Sequence, residues 1–411
     1  MKIAVICTGT ELLKGCTVNS NLAQLGAMLT AVGLPIGMEI AAGDRAGDIG
    51  DAIACALRTS DVLILTGGLG PTKDDITLDV AARFFGCELK EDPELSEKVL
   101  AFWNSVHQGH CPKNQFRQAR VPVGGHVLPN PVGSASGIAF SSLYAGVMRH
   151  VFLLPGPPSE FVPMAKNYLV DELLQISGKR RCTLGFLVPA SGESTVAKAV
   201  ENALTDMPLE IGYTAVPEGT KVFLEGDFPE MVHAAAEKAR NAVGTFALPV
   251  GATDLYAYLA ELLRERKLTF GTAESCTGGL IAKIFTDMPG ISDIFVGGVV
   301  SYANAVKTAL LGVDEETLVR FGAVSEETAV LMAKNAVSAL GCDCSIAVTG
   351  IAGPDGGTPE KPVGTVYISC SCSGNITVEK LALRGGREAI RQRAAARAVY
   401  LLIKSLRGSN A

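Results

Sequence analysis

The chain has 411 residues, 48% of them hydrophobic and 19% charged. That is apolar material for several cores, and it excludes extended disorder. A formal net charge of −6 and a pI near 5.5 disfavour nucleic acid as a partner, because phosphate backbones are held by clustered positive charge.

Residues 2–7 are an apolar run that reads as a buried strand. They lead to Glu11 with no long hydrophobic segment and no small-residue cleavage site, so no signal peptide is expected. Residues 19–32 carry apolar positions at helical spacing and stop at Gly33. Residues 35–41 predict a second strand, 48–59 a helix with acids in its first turn, and 61–65 a third strand. This βαβαβ rhythm predicts a parallel sheet covered by helices, with ligands at the carboxyl ends of its strands. Residues 90–108 predict a charged amphipathic helix, and 121–137 a long surface loop rich in Pro and Gly. A strand at 151–154 is broken by Pro155-Gly156-Pro157-Pro158, and Glu160 opens another helix. This N-terminal domain spans 1–170.

Residues 171–251 predict a small α+β module, with strands at 183–188 and 221–225 and helices at 193–204 and 229–243. Gly251-Ala252-Thr253 is its junction to a further domain, 252–411. That domain has strands at 269–273, 294–300, 344–348 and 365–370, and a basic amphipathic helix at 387–406. The expected fold class is α/β: two α/β domains with mainly parallel sheets, joined by the α+β module. No apolar run of about 18 residues occurs, so no membrane span is expected. The eleven cysteines read as reduced thiols of a cytoplasmic protein.

Two glycine turns carry the chemistry. The first is Thr66-Gly67-Gly68-Leu69-Gly70-Pro71-Thr72-Lys73-Asp74-Asp75. Gly67, Gly68 and Gly70, with Thr72 beside them, let backbone amides approach a phosphate. Asp74 and Asp75 supply oxygen ligands for a divalent metal, the usual equipment for splitting a phosphoanhydride. A tight turn before a helix capped by Asp75 or Thr77 explains the same residues without a ligand.

Other fragments join this turn: Gly9-Thr10-Glu11-Leu12-Leu13, Asn19-Ser20-Asn21, Gly43-Asp44, Asn130-Pro131-Val132-Gly133-Ser134-Ala135 and the segment from Pro155 to Glu160. Together they resemble the molybdopterin-binding-like domain of the competence/damage-inducible protein A family, CinA. The resemblance implies metal-dependent hydrolysis of ADP-ribose to AMP and ribose 5-phosphate, the metal being open. It equally admits molybdopterin binding by the same loop.

The second turn is Glu274-Ser275-Cys276-Thr277-Gly278-Gly279. A serine there is placed like a nucleophile, with amides around Gly278 and Gly350 as an oxyanion hole. All five histidines precede residue 252, which excludes a Ser-His-Asp triad inside this domain. Lys307, in Ser301-Tyr302-Ala303-Asn304-Ala305-Val306-Lys307, is the substitute base if burial strips its proton, with Tyr302 relaying that proton or orienting the serine. An exposed helical lysine and a strand-end tyrosine are the plain alternative. Cys276 is a rival nucleophile. Thr349-Gly350-Ile351-Ala352-Gly353 adds a hydroxyl and amides at the same sheet edge.

This ensemble resembles the C-terminal CinA domain, the nicotinamide mononucleotide deamidase family, over about 254–407. By that resemblance Ser275, Tyr302 and Lys307 are catalytic, while Thr277, Gly278, Gly279, Thr349, Gly350, Gly353 and Arg387 bind substrate. The implied reaction converts nicotinamide mononucleotide to nicotinate mononucleotide and ammonia without a cofactor. Gly386 departs from the family, which usually has an acid before the arginine, and this leaves Arg387 and Arg391 open as a solvated basic face. The middle module resembles the family's KH-like spacer. Its Glu218, Glu225 and Asp227 do not suggest a phosphate track. The partners expected are small-molecule nucleotides, and the expected assembly is a homodimer. The rival reading is a non-enzymatic pterin- or nucleotide-binding protein of competence or DNA-damage responses.

Two cysteine groups are read as structural. His107, His110 and Cys111 mark a helix end rather than a metal site. Cys342 and Cys344 share one strand face and read as core. Gly178-Lys179 lacks the upstream glycine of a P-loop.

Overall fold

The computed structural model describes residues 1–178, 182–244 and 246–408; Lys179 of the rejected P-loop lies outside them. The chain divides into two compact units, Met1–Thr183 with Glu225–Pro229, and Leu184–Leu224 with Glu230–Ala411.

The first unit contains β1 (Ile3–Thr8), β2 (Ile36–Ala42), β3 (Val62–Thr66), β4 (Leu89–Glu91), β5 (Arg120–Pro122), β6 (His126–Leu128), β7 (Gly137–Tyr144) and β8 (Val147–Leu154). Six of them form a sheet in the order β2-β1-β3-β8-β7-β6, and β4 pairs with β5 apart from it. β1 is parallel to both neighbours and β3 is parallel to β8. Ala4, Ile6, Leu63 and Leu65 enter one core, while Ile3, Val5, Val62 and Ile64 enter another on the opposite face. Burial on both faces is why these strands read as unbroken apolar runs. The chain passes from β1 outward to β2 and returns on the far side to β3. The β1/β3 boundary is thus a topological switch point.

The expected loop at 121–137 is corrected. It contains the end of β5, all of β6 and the start of β7, and Leu128, Asn130, Ala135 and Ser136 are buried. Three-residue strands are too short to show a period, so Pro and Gly dominated the reading.

A three-stranded sheet, β10-β11-β9, follows, from β9 (Cys182–Pro189), β10 (Glu210–Val216) and β11 (Gly219–Gly226). The sequence did not predict β10, an edge strand with little buried surface. Helices Glu193–Ala203 and Pro229–Ala242 accompany it. Leu187 and Leu248 share one core with Leu259, Phe270 and Ile346.

The last sheet runs β13-β12-β14-β15-β16, from β12 (Phe270–Glu274), β13 (Phe295–Val300), β14 (Cys344–Gly350), β15 (Thr365–Cys372) and β16 (Asn375–Ala382). β12 lies between β13 and β14 and is parallel to both; β15 and β16 are antiparallel. The α/β class holds, and both main sheets are mixed: parallel at the centre, antiparallel at one side. Two of the antiparallel pairings are two-residue hairpins. Ala145 and Gly146 (φ 49° and 79°) join β7 to β8, and Ser373 and Gly374 (φ 51° and 80°) join β15 to β16. Left-handed φ at both positions suits the right-handed twist of a hairpin.

Helix Arg387–Gly408 buries Ile390, Val399, Leu402 and Ile403 in the same core as β15. The expectation of uniformly reduced thiols is corrected at one pair: Cys344 and Cys372 face each other across the β14–β15 ladder as a disulfide. Alternation along one strand cannot reveal a partner fixed by the register of the next. Among the described residues no helix is long and apolar enough to cross a membrane.

Candidate active sites

The carboxyl ends of β1, β3 and β8 open into a cavity of about 710 Å³. Thr8, the Gly67–Gly70 turn and Gly156 line it, with Asp44, Asp74 and Asp75. Gly67 and Gly68 have φ of 103° and 65°; a Cβ on Gly67 would overlap the Thr8 carbonyl, and one on Gly68 the Thr77 hydroxyl. Only glycine satisfies both demands. Among the described residues the N–H groups of Gly68, Leu69 and Gly70 meet no protein acceptor, whereas Gly67 N donates to Leu154 O at 3.0 Å. Asn21, 7% exposed on the cavity wall, donates to Thr66 Oγ1 (3.3 Å) and Gly156 O (2.7 Å), and its Oδ1 is buried without a partner.

Asp75 Oδ2 accepts from Thr72 N at 2.8 Å and from Thr72 Oγ1 at 2.6 Å, closing the turn. Helix Thr77–Phe85 starts after Ile76 with no side-chain cap, so neither Asp75 nor Thr77 caps it. Among the described residues no cluster of three or more His, Cys, Asp or Glu could cage a metal alone. Asp74 and the unpartnered Oδ1 of Asp75 fit a cation completed by phosphate oxygens and water. His107 stacks on Trp103 with ring centroids 3.9 Å apart.

In the second unit strand β12 delivers Ser275. Its N–H donates to Val348 O of β14 at 2.9 Å, and Ser301 N donates to Glu274 O at 2.8 Å. The turn after β12 is thereby sewn to the ends of both neighbours. Glu274, 1% exposed, accepts from Ile281 N (3.1 Å) and Ala282 N (2.9 Å) and so caps helix Leu280–Thr286. Sequence reading missed this role, although an acid before a glycine turn and a helix is its signal. Gly278 and Gly279, at φ 61° and 87°, turn the chain into that helix.

Lys307 lies on helix Asn304–Leu311, 1% exposed, with Nζ 3.0 Å from Ser275 Oγ. Nζ also donates to Ser301 O (2.5 Å) and Tyr302 O (3.4 Å). No carboxylate pairs with it among the described residues. Burial lowers its pKa from the usual 10.5, against a lesser opposing effect of Cys276. Two carbonyls take two N–H bonds, which leaves a neutral amine's lone pair for the serine. Cys276 is buried, and burial pushes its thiol up to about 11, so it stays protonated near neutrality.

The remaining predicted residues divide. Tyr302 is 63% exposed; its hydroxyl accepts from Arg387 Nη2 at 3.3 Å and bonds neither Ser275 nor Lys307. The relay expected of Tyr302 is therefore corrected: its backbone carbonyl, not its hydroxyl, meets the lysine. Thr349 is fully buried and its hydroxyl donates to Ala323 O at 2.6 Å. Gly350 sits in the ladder opposite Val366. Gly278 N donates to Ser275 O at 3.0 Å, so that amide is not free; Thr277 and Gly279 N–H have no protein acceptor among the described residues. Arg391 Nη2 holds Thr277 O at 2.7 Å, and Arg387 Nη1 holds Gly353 O at 2.6 Å. Arg391 therefore reaches the serine turn, and Arg387 the Gly353 loop and Tyr302, from within one chain, although Gly386 brings no acid. Glu388 stands by Arg391 instead, at 3.2 Å.

The molecule is thus a two-unit α/β protein with a glycine-turn site at the carboxyl edge of each main sheet. One is an open polar cavity and the other a buried serine–lysine pair. Residues 4–175 match the family described as "Probable molybdopterin binding domain", and residues 252–406 match the CinA C-terminal domain. A CinA-like protein of Desulfovibrio desulfuricans is 37% identical over 99% of this chain and 97% of its own length. One from Kosmotoga olearia is 35% identical over 99% of both. The competence/damage inducible protein CihA from Agrobacterium tumefaciens, a crystal structure, is 41% identical over 37% of this chain and 93% of its own, with a TM-score of 0.36. The chain belongs to the competence/damage-inducible CinA family.

Proposed function

We propose that this protein is a cytoplasmic, bifunctional hydrolase of pyridine-nucleotide salvage. Its second unit hydrolyses the carboxamide of nicotinamide mononucleotide, and its first hydrolyses the pyrophosphate of ADP-ribose. The observation that carries the reading is the 3.0 Å approach of Lys307 Nζ to Ser275 Oγ, both buried, with no histidine in that unit's last 160 residues or so.

Ser275 Oγ attacks the carboxamide carbon as neutral Lys307 accepts its proton. The N–H groups of Thr277 and Gly279 stabilise the oxyanion. The C–N bond breaks as Lys307 returns the proton to the nitrogen, and ammonia leaves. Water, deprotonated by the same amine, then splits the acyl ester and restores Ser275. Arg387 and Arg391 favour an anionic substrate at the mouth. This scheme uses no cofactor.

In the first unit the amides of Gly68, Leu69 and Gly70 hold a phosphate, and Asp74 with Asp75 would hold a divalent cation. That cation, when bound, neutralises charge on the pyrophosphate. The protein works as a homodimer in this reading.

Mass-resolved product analysis tests both halves. Nicotinamide mononucleotide should yield nicotinate mononucleotide and ammonia, and ADP-ribose should yield AMP. A chelator should stop AMP release and leave ammonia release unchanged. Calorimetric binding of both nucleotides without turnover of either would replace this reading with the non-enzymatic one. Gly68→Ala forces a side chain into left-handed backbone at about 1–3 kcal/mol of strain, so the KM for ADP-ribose should rise at least about tenfold. Wild-type kinetics in that variant would remove the turn from the phosphate site.

A further inference from the structure

Beside the first cavity, helical turns at Lys113–Ala119 lie against the 71–75 segment that carries Asp74 and Asp75. Arg117 Nη1 donates to Thr72 O at 2.8 Å. Its Nη2 donates to Asp75 O at 3.0 Å and to Asp79 Oδ2 at 3.0 Å. Asn114 Nδ2 donates to Pro71 O at 3.2 Å. Three carbonyls of one short turn are therefore held from the same side. Asp79 fixes the holder, because Arg120 grips the same carboxylate with two bonds of 2.7 and 3.0 Å, and Arg120 Nε donates to Arg117 O at 3.1 Å.

We infer that Arg117 is the positioning residue of the first site, holding the 71–75 turn in the shape that presents the carboxylates of Asp74 and Asp75 to the ligand. The inference rests on the reading of that cavity as a phosphate and cation site. The chemistry needs a guanidinium. A planar fork can meet two carbonyls and a carboxylate at once, whereas an ammonium on a flexible stem cannot hold all three in those directions. Carbonyls engaged from behind also cannot swing inward to repel a phosphate. Without Arg117 the turn must be ordered on each binding event, and that ordering cost appears in affinity rather than in the chemical step.

The test uses the full chain with Arg117→Ala and Arg117→Lys, and ADP-ribose with Mg2+ as probes. Both variants should raise the KM for ADP-ribose and the Mg2+ activation constant about tenfold, the size expected for losing charged hydrogen bonds to the backbone, with kcat within about threefold. Free guanidinium should restore affinity to the alanine variant. Ammonia release from nicotinamide mononucleotide, at the other unit, should stay unchanged and so report an intact chain. A second readout needs no turnover: the amides of Thr72 and Asp75, which donate within the turn, should exchange hydrogen at least about tenfold faster in both variants. Full affinity in the lysine variant, a fall in kcat at constant KM, or unchanged exchange at Thr72 and Asp75 each overturns the assignment. If the wild type releases no AMP with any divalent cation, the pyrophosphatase reading fails by itself, and the exchange rates still decide whether Arg117 holds the turn.

Discussion

Ser275→Ala should abolish ammonia release from nicotinamide mononucleotide, by at least about 10⁴-fold, because no second nucleophile can take its place. The neighbouring thiol of Cys276 is the rival. Burial pushes Cys276 up to about 11, so very little thiolate exists near neutral pH. Cys276→Ala should accordingly leave the rate within a few-fold. The fold should survive the serine change, since Ser275 Oγ contacts Lys307 Nζ and that amine keeps Ser301 O and Tyr302 O as partners. The melting temperature should move by only a few degrees. Activity at AMP release from ADP-ribose should be untouched. A fully active Ser275→Ala protein would end the serine mechanism, and an active one that dies on Cys276→Ala would transfer the role to the thiol.

Much of this was legible before the fold. The unbroken apolar runs that became β1, β3, β12 and β14 are buried on both faces, and burial on both faces erases alternation. A run of that kind followed by Gly-Gly marks a strand end, so the position of both turns at the carboxyl ends of β3 and β12 was legible from residue order alone. Lys307 was legible as a candidate but not as a buried one. Its helix spacing fits an exposed lysine equally well, and only the crossing of helix Asn304–Leu311 behind Ser275 decides the matter. The direction of the Tyr302 hydroxyl was not legible, because a residue whose backbone carbonyl meets the lysine need not turn its side chain inward. Thr349 shows the same limit: its hydroxyl looks available in the sequence and is taken by Ala323 O, 26 residues away. β10, β16 and the Arg117 clamp were invisible for a related reason. Edge strands carry little hydrophobic signal, and a side chain that holds a backbone carbonyl 45 residues distant has no local pattern.

The second large effect concerns the proton. Lys307→Met and Lys307→Arg should each lower ammonia release by about 10²–10⁴-fold, the range for loss of a general base. The two variants fail for different reasons. Methionine fills the volume but accepts no proton, and arginine stays protonated at any accessible pH. In the wild type the amine must be neutral to accept the Ser275 proton, so the protonated form is the inactive one. Burial lowers the pKa of Lys307 below 10.5, which moves the acid limb of kcat/KM toward neutrality. The rate should therefore climb about tenfold per pH unit below that pKa and flatten above it. The residual rate of Lys307→Met should lose this limb. The methionine removes the desolvation penalty of the buried amine but leaves Ser301 O and Tyr302 O without that donor, so the melting temperature should move by no more than a few degrees. A methionine variant that melts at the wild-type temperature yet keeps the wild-type pH profile would show that some other group takes the proton. The 3.0 Å approach of Nζ to Oγ would then be packing rather than chemistry.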